Sequence, residues 1–529
     1  MIRLRSFAAQ TAALAGAGLL TRLIGFLYRL PLTDMIGNVG NGIYGASYNL
    51  YMFFLIMSSA GLPVAVAKMT SHRLALGKNA DARAVFRTSL AVTAVLGLLS
   101  SMALWFGARA MADAVESPRS FYAIRTLSPT VFIVSVMAVF RGYFQGMGSA
   151  SPTALSQIVE QVFNAVFSVF LCYALMKGDG DATLGAAGGT AGTGVGALAG
   201  LFTVFIIYIK AAPKKRPTEP ATERQLSVIL ELVRTAGPII IGAAIFSVAN
   251  LIDMVMVNGL LLKAGYGRSD TDAMYGLLTG KYVTLTTLPV SISSAVATAA
   301  VPNIARFAAL GDKVKLTERI NVALRLSMTL SIPAAAGIGV LGQPILRLLF
   351  PSYPDGGYLL QLGAISVVFL ALSQIAAGIL QGAGYAYIPA IAAFFGAAMK
   401  IPLNYWLIPK KTVTVFGLVF PMNVAGAVIS SIACYAVAAV VDMVVLKKVM
   451  GKDQRIDARR SFFLPVASSA VMALICHFTY RALFNISDNN TASCLIAIFF
   501  GVASYFACLY LIGGLEKEDL VPFVKKRAR

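Results

Sequence analysis

Charged side chains are scarce in this chain. Only 13% of its 529 residues are Asp, Glu, Lys or Arg, against 58% hydrophobic, with a mean hydropathy of +0.76; an ordinary soluble protein carries about 25% charge. So little charge cannot clothe a water-facing surface, which excludes a soluble globule. Histidine is scarcer still: His72 lies in a basic loop and His477 in an apolar run, with no constellation around either. Phosphate loops, nucleophile motifs and metal boxes are also missing, so the reading is not an enzyme, with no metal and no cofactor. The five cysteines, Cys172, Cys434, Cys476, Cys494 and Cys508, sit inside apolar runs without disulfide or metal-ligand spacing. They read as small core or lipid-facing residues. Long polar segments are lacking too, so the net charge of +21 has no soluble domain on which to build a nucleic-acid surface. Dyad alternation is absent from runs such as "AVTAVLGLLSSMALWFGA", which excludes a lipid-spanning β-barrel.

What is present is apolar sequence in stretches of about 20 residues, each long enough to cross a hydrocarbon core of ~30 Å as a helix. They lie at 8–31, 41–67, 88–107, 126–147, 153–176, 188–209, 235–262, 272–300, 326–349, 358–380, 389–408, 421–446, 462–483 and 493–514. The fold class expected is all-α, a polytopic membrane protein of about fourteen transmembrane helices. The first run continues through Leu30 without a small-x-small cleavage site and reads as a span, not a signal peptide. A cytoplasmic N-terminus gathers Arg3, Arg5, the loops 68–87, 210–234, 303–325 and 447–460, and the tail "EKEDLVPFVKKRAR" on one side. Those segments hold the larger part of the 44 Lys and Arg residues. By the positive-inside rule both termini are expected in the cytoplasm and the protein in the cytoplasmic membrane. Membrane lipids are the expected surroundings, and a monomer is one state open to the chain.

The chain also repeats itself. "FQGMGSASPTALSQ" from Phe144 and "LQGAGYAYIPAIAA" from Leu380 share Gln-Gly-x-Gly followed by a span-opening proline, Pro152 and Pro389. "AGLPVAVAK" from Ala60 and "AAVPNIAR" from Ala299 each close the second span of their half before a basic loop. Two matched pairs at nearly the same offset predict two six-helix lobes with pseudo-twofold symmetry, joined by the basic, Pro-rich linker "KAAPKKRPTEPATERQ". The domains expected are 1–220, 221–460 and 461–529, the last holding two further spans and the tail. Two such lobes make a transporter architecture, with substrate expected in the cleft between them.

An ionisable residue inside a span costs roughly 2.5–3.5 kcal/mol on insertion scales, so each one needs a reason. Arg22 and Arg29 in "TRLIGFLYRLPL" are seven residues apart, which puts them within about 20° of each other on one helical face. A structural alternative for them is an ion pair with Glu160 or Asp253, or an Arg29 to Asp34 clasp. Lys281 stands in "LLTGKYVTLTTLPV", whose Thr284, Thr286 and Thr287 suggest a watered lining, although such hydroxyls also bond back to helix carbonyls. Lys400 and Asn404 share a face of their span at i, i+4. Asp253 lies in another span, and a Lys400 to Asp253 pair stands equal with a role in ion or charge coupling. Arg141 and Glu160 flank a short turn and read as a structural pair. A site lined by Arg22, Arg29 and Lys281 suits phosphate or carboxylate, since Arg can hold phosphate with two parallel hydrogen bonds.

The runs "LIGFLYRLPLTDMIGNVGNGIYGASYNLY", "AGLPVAVAK" and "RGYFQGMGSASPTALSQIVEQ" resemble the polysaccharide-biosynthesis branch of the MOP flippase superfamily. Within it the chain looks like the stage V sporulation protein B and YtgP group, relatives of the MurJ lipid II flippases. The resemblance implies a flippase that exports a polyprenyl-pyrophosphate-linked saccharide, an anionic lipid-linked saccharide of the lipid II type, by alternating access. It implies substrate contacts at Arg22 and Arg29, which match the group's R-x2-G-x2-R pattern around Gly25 with one extra residue, and at Lys281. Asn49 stands where some relatives carry an acidic residue, and Lys400 where some bring sodium ligands. The last two spans would help form a groove for the lipid tail. A MATE-like cation or drug antiporter of the same fold, whose cleft should be acidic, and a non-transporting factor in cell-wall or spore assembly are the other readings.

Overall fold

A chain this poor in polar side chains must hydrogen-bond its own backbone, and the helix does so within one segment. The computed structural model describes residues 7–177, 180–211, 222–385, 387–415, 418–451 and 453–514. Arg3, Arg5, linker residues 212–221 and the tail 515–529 lie outside them. The chain divides into two compact units, 1–276 and 277–529. Eleven helices among the described residues are long and apolar enough to cross a membrane.

The first unit contains α1 (Phe7–Ser59), α2 (Leu62–Ala75), α3 (Asn79–Ala114), α4 (Phe121–Gly146), α5 (Ser151–Met176), α6 (Ala182–Ala211), α7 (Gln225–Lys263) and α8 (Arg268–Gly276). A straight 53-residue α1 would be about 80 Å long, far more than a membrane needs. It is not straight: Gly37 leaves helical geometry at φ 65° and ψ −174°, a conformation costly for any residue with a Cβ. Asn41 Nδ2 ties the corner by donating to Thr33 O at 2.9 Å and Gly37 O at 2.7 Å. The two legs run back along one another, since the Arg29 guanidinium lies 4.9 Å from the Tyr44 ring centroid. Fifteen residues of straight helix would separate those positions by about 22 Å. The returning leg stops at Ser59, and α2 starts after Gly61, which adopts φ 79° ahead of Pro63. The single span expected at 41–67 is therefore broken near its end.

The second unit opens on a π-helical segment, Leu277–Val283, and continues through α9 (Thr284–Ala309), α10 (Lys313–Leu349), α11 (Gly357–Gly363), α12 (Ile365–Gly382) and α13 (Ile388–Leu407). After them come α14 (Ala425–Met450), a short π-helical turn, α15 (Leu464–Ser487) and α16 (Asn490–Leu511). One departure from an all-helical chain is a hairpin, β1 (Thr412–Val415) and β2 (Leu418–Pro421), pairing Thr412 with Pro421 and Val415 with Leu418. The β-branched run Thr-Val-Thr-Val suits a strand.

The repeat seen in sequence is also a repeat of geometry inside each unit. Met147, Gly148 and Ser149 donate their N–H groups to Tyr143 O, Gln145 O and Phe144 O; Ala383, Gly384 and Tyr385 donate to Ile379 O, Gln381 O and Leu380 O. Gly148 and Gly384 both sit at positive φ, 72° and 92°, as this kind of helix end requires. Helix packing repeats as well. A Cβ on Gly142 would come 2.7 Å from Pro63 O and one on Gly146 2.8 Å from Ala67 O, so α4 meets α2 backbone to backbone. In the second unit Gly378 meets Ala297 at 2.8 Å and Gly382 meets Val301 O at 3.1 Å, so α12 meets α9 in the same way. This is the small-xxx-small contact by which helices approach closely in lipid. A third stripe, Gly188, Gly192 and Gly196 on α6, packs against Leu171, Ser168 and Glu160 of α5.

Candidate functional site

The fold-back of α1 decides what surrounds Arg29. Tyr44 and Tyr48, one turn apart on the returning leg, present nearly parallel rings, 11° apart with centroids 5.9 Å distant. The Arg29 guanidinium carbon is 4.9 Å from the Tyr44 centroid and 5.8 Å from the Tyr48 centroid. Tyr51 continues the wall, 5.5 Å from Tyr48. Such contacts hold a cation at the ring face. Two turns earlier Arg22 is exposed. Between the arginines, Gly25 lets α1 approach Gln161 on α5, whose Nε2 would lie 3.1 Å from a Cβ.

Beside the tyrosines, Glu160 acts electrostatically on Tyr48 and Tyr51, and its carboxylate is held by Arg141: Nη2 to Oε2 is 2.7 Å, while Arg141 Nε donates to Ser156 Oγ at 2.9 Å. Asn164, one turn along α5, accepts from Ser168 Oγ at 2.8 Å. A second polar group lies further along the same leg of α1. Asn49 Nδ2 donates to Tyr275 Oη at 2.8 Å, and Asp253 of α7 is near enough to act on that hydroxyl. The first unit thus brings Arg29, Glu160 and Arg141 into one neighbourhood and Asn49 and Asp253 into another. Reading the sequence for charge passes over Tyr44, Tyr48 and Tyr275; the spacing in "IYGASYNLY" is the available signal for the first two.

The second unit holds the remaining expected site residues. Lys281 is only 2% exposed and stands in the π-helical segment, a geometry that recurs at functional positions. Its ammonium donates to Tyr353 O and, at 3.1 Å, to Asp355 O, with the Phe350 ring centroid 5.7 Å away. Its neighbour Tyr282 donates to Ser366 Oγ at 2.8 Å, its ring occupying the space where Gly363 would carry a Cβ. The threonines after Lys281 return their hydroxyls to their own backbone: Thr284 to Thr279 O, Thr286 to Tyr282 O and Thr287 to Val283 O. That back-bonding accounts for their presence in a span without water. Asn404 is buried and accepts from Ser430 Oγ; Lys400, one turn before it, is near enough to act on the Tyr282 hydroxyl. Among the described residues no group of three or more His, Cys, Asp or Glu side chains could hold a metal ion.

The polysaccharide biosynthesis protein family model matches residues 7–308, more than half of the chain. The chain belongs to this family. A second model, MatE, matches residues 238–406. Lipid II flippase MurJ of Bacillus subtilis (strain 168) is 25% identical over 526 residues, covering 94% of each chain. Stage V sporulation protein B of the same organism is 26% identical over 417 residues, 78% of this chain and 80% of that one. Among solved structures, lipid II flippase MurJ in an inward closed conformation superposes with a TM-score of 0.70 at 13% identity, over 94% of this chain and 97% of that one. An inward-facing multidrug resistance MATE family transporter of the MOP superfamily superposes at 0.64 and 17% identity, over 80% and 98%. The family member is thus a multi-pass membrane protein with the MOP-superfamily transporter fold.

Proposed function

We propose that this protein moves a polyprenyl-pyrophosphate-linked saccharide across the cytoplasmic membrane by alternating access, with Arg22, Arg29 and Asn49 contacting the anionic head. The observation that carries this reading is the excess of cations on α1, where Arg22 and Arg29 stand against the single carboxylate Asp34. Two arginines share one face of its first leg, and Glu160, the carboxylate by the tyrosine wall, is engaged by Arg141. A desolvated guanidinium pairs best with phosphate or carboxylate. Lys281 joins the proposal as an ammonium already bound to oxygen acceptors; a phosphate would replace the carbonyls of Tyr353 and Asp355. The whole-length likeness to a lipid II flippase supports the same substrate class. The loop charge bias supports cytoplasmic termini, and the repeat supports lobes at 1–220 and 221–460 with 461–529 appended.

The test is depletion in the source organism followed by analysis of lipid-linked precursors, paired with flipping of a labelled polyprenyl-pyrophosphate saccharide in proteoliposomes. Accumulation of one precursor, and flipping that Arg22→Ala abolishes, is the expected result. Flipping at the wild-type rate by Arg22→Ala liposomes would remove the arginine stripe from the mechanism. A MATE-like antiporter is the second reading, favoured by the MatE match over 238–406; it predicts cation-driven dye export that is indifferent to Arg22 and Arg29.

A further inference from the structure

We propose that Asp442 of α14 is a proton-binding site, a carboxyl that takes up and releases one proton in each transport cycle and so ties transport to a proton gradient. The proposal rests on the transport reading argued above. Asp442 is 1% exposed. Ser373 of α12 donates its hydroxyl to Oδ2 at 3.2 Å, and among the described residues the other oxygen, Oδ1, has no hydrogen-bond partner. Met443 and Leu446 on α14, with Leu372 and Ile375 on α12, belong to or pack against one apolar cluster, so the carboxyl is set in a medium that solvates charge poorly. An unpaired carboxylate is too costly to keep in such a place, and binding a proton removes that cost.

Among the described residues no cation serves as its partner. α10, α11, α12 and α13 pack against α14. Of these, α11 and α12 carry no charged residue, and α13 carries Lys400 alone. α10 carries Lys313, Lys315, Glu318, Arg319, Arg325 and Arg347, and α14 itself Lys447 and Lys448. Tyr358, Tyr405, Tyr435 and Cys434 are the other titratable groups on α11, α13 and α14. None of these acts on the Asp442 carboxyl, on which only burial and the Ser373 hydroxyl bear. One carboxylate and one hydroxyl are too few oxygens for a hard metal cation, which surrounds itself with about six. Nor does packing demand the polar pair: in the register set by Phe144 and Leu380, the first unit places Met137 where the second places Ser373, and Met137 is fully buried in an apolar cluster with Val204 of α6. Asp442 lies eight residues before Met450, the last of α14, or about 12 Å along the axis, so a small opening at that helix end admits water. There the Oδ1–H bond forms with a proton taken from water and later breaks to return it; nothing is oxidised or reduced. With the proton bound the side chain is neutral and α14 keeps its packing. Without it the carboxylate favours a conformation that water reaches, and this difference in affinity links the proton to the conformational change.

The experiment has two arms, both on the full chain. Infrared difference spectra of the protein in nanodiscs, taken across a pH titration, read the carbonyl stretch of protonated carboxyl groups. The wild type is expected to lose one such band as pH rises, and Asp442→Asn to lack it. Ser373→Ala, which removes only the hydrogen bond to Oδ2, is expected to keep the band at a shifted frequency. In proteoliposomes with a labelled polyprenyl-pyrophosphate saccharide, a gradient of one pH unit is expected to shift the wild-type leaflet ratio by up to about tenfold, the limit for one proton per lipid. Asp442→Asn is expected to equalise the leaflets whatever the gradient. The same titrating band in Asp442→Asn, the same gradient response in both proteins, or a response to a sodium gradient in place of the proton gradient would overturn the proposal. Should Asp442→Asn not accumulate, Ser373→Ala carries the test, and a band and gradient response identical to the wild type overturn it. Flipping by a wild type that lacks the band defeats the proton site alone; the band without flipping defeats the substrate reading and leaves the proton site standing.

Discussion

Arg73 at the end of α2 is bound by two carboxylates at once. Its Nε and Nη2 donate to Glu223 Oε2 and its Nη2 lies 2.6 Å from Glu231 Oε2, while Nη1 caps Met69 O at 3.1 Å. Asp81, in the first turn of α3, grips the same segment. It accepts from Thr222 N and Thr222 Oγ1, both at 2.7 Å, and from Glu223 N at 3.2 Å. The hairpin of α2 and α3 therefore holds the start of α7 through charge-assisted hydrogen bonds, the stronger class.

Removing the arginine should loosen this grip more than removing either acid. Arg73 is 4% exposed in its side chain, against 28% for Glu223 and 43% for Glu231. Stranded acids that can hydrate cost less than fully buried ones, so Arg73→Ala should destabilise the segment by about 1–2 kcal/mol and Glu231→Gln by less than about 1 kcal/mol. Hydrogen exchange over 222–231 should rise clearly in the first variant and little in the second. Equal protection in both would show that the grip lies elsewhere.

The Arg141 and Glu160 pair is also enclosed, at 13% and 26% exposure. Deleting one partner leaves the other charge in a poor solvent, so Arg141→Ala or Glu160→Ala should lower the amount of protein in the membrane several-fold. The double variant should recover part of that loss, since no charge is stranded. Recovery is read by quantitative blotting against wild type. A double variant no better than the worse single one would mean the ion pair does not hold α4 to α5.

Glycine substitutions should separate packing from punctuation. Gly142→Ala puts a methyl group 2.7 Å from Pro63 O, where backbone must move, whereas nothing lies within 4 Å of a Cβ on Gly237 in α7. Overpacking of this kind costs about 1–3 kcal/mol. Gly142→Ala should lower the melting temperature of the purified protein, and Gly237→Ala should keep or slightly raise it. Tolerance of alanine at Gly142 would rule out the close contact of α4 with α2.

Much of this architecture could be read before any coordinates, because hydrophobic length and Gly-Pro punctuation are local properties of sequence. The all-helical membrane class and the repeated turns at Gly148 and Gly384 belong to that kind, whereas eleven membrane-length helices among the described residues stand against the fourteen expected spans. The break at Gly61, the π-helical segment around Lys281 and the division of the chain after Gly276 depend on how helices pack, and period and composition are blind to them. Charge was a partial guide to the site. It singled out Arg29 but not the tyrosines it rests on, because an aromatic residue in an apolar helix looks like any other core residue until the Gly37 corner brings it across. The small-residue stripes on α4 and α12 were visible as Gly-x3-Gly, yet only the backbone approach shows that both pack in the same manner.

Lys281 is the residue whose expected behaviour changes most once its surroundings are seen. Its sequence context, a lone cation deep in a span, predicts a variant that accumulates normally and cannot transport. Its ammonium, however, donates to the carbonyls of Tyr353 and Asp355, in a turn also tied by Gln343 Nε2 to Pro354 O at 2.8 Å. Lys281→Met keeps most of the side-chain volume and removes the donors, leaving those carbonyls to find water or stay unpaired, at about 1–3 kcal/mol if they stay buried. The variant should therefore show a lower melting temperature as well as reduced flipping. Added polyprenyl pyrophosphate should raise its melting temperature less than it raises that of the wild type, because ligand that binds the folded state stabilises in proportion to its occupancy. A variant that melts like the wild type would make the carbonyl contacts incidental. One that melts lower but gains the full shift from ligand would confine Lys281 to holding the turn, and would leave phosphate recognition to Arg22 and Arg29.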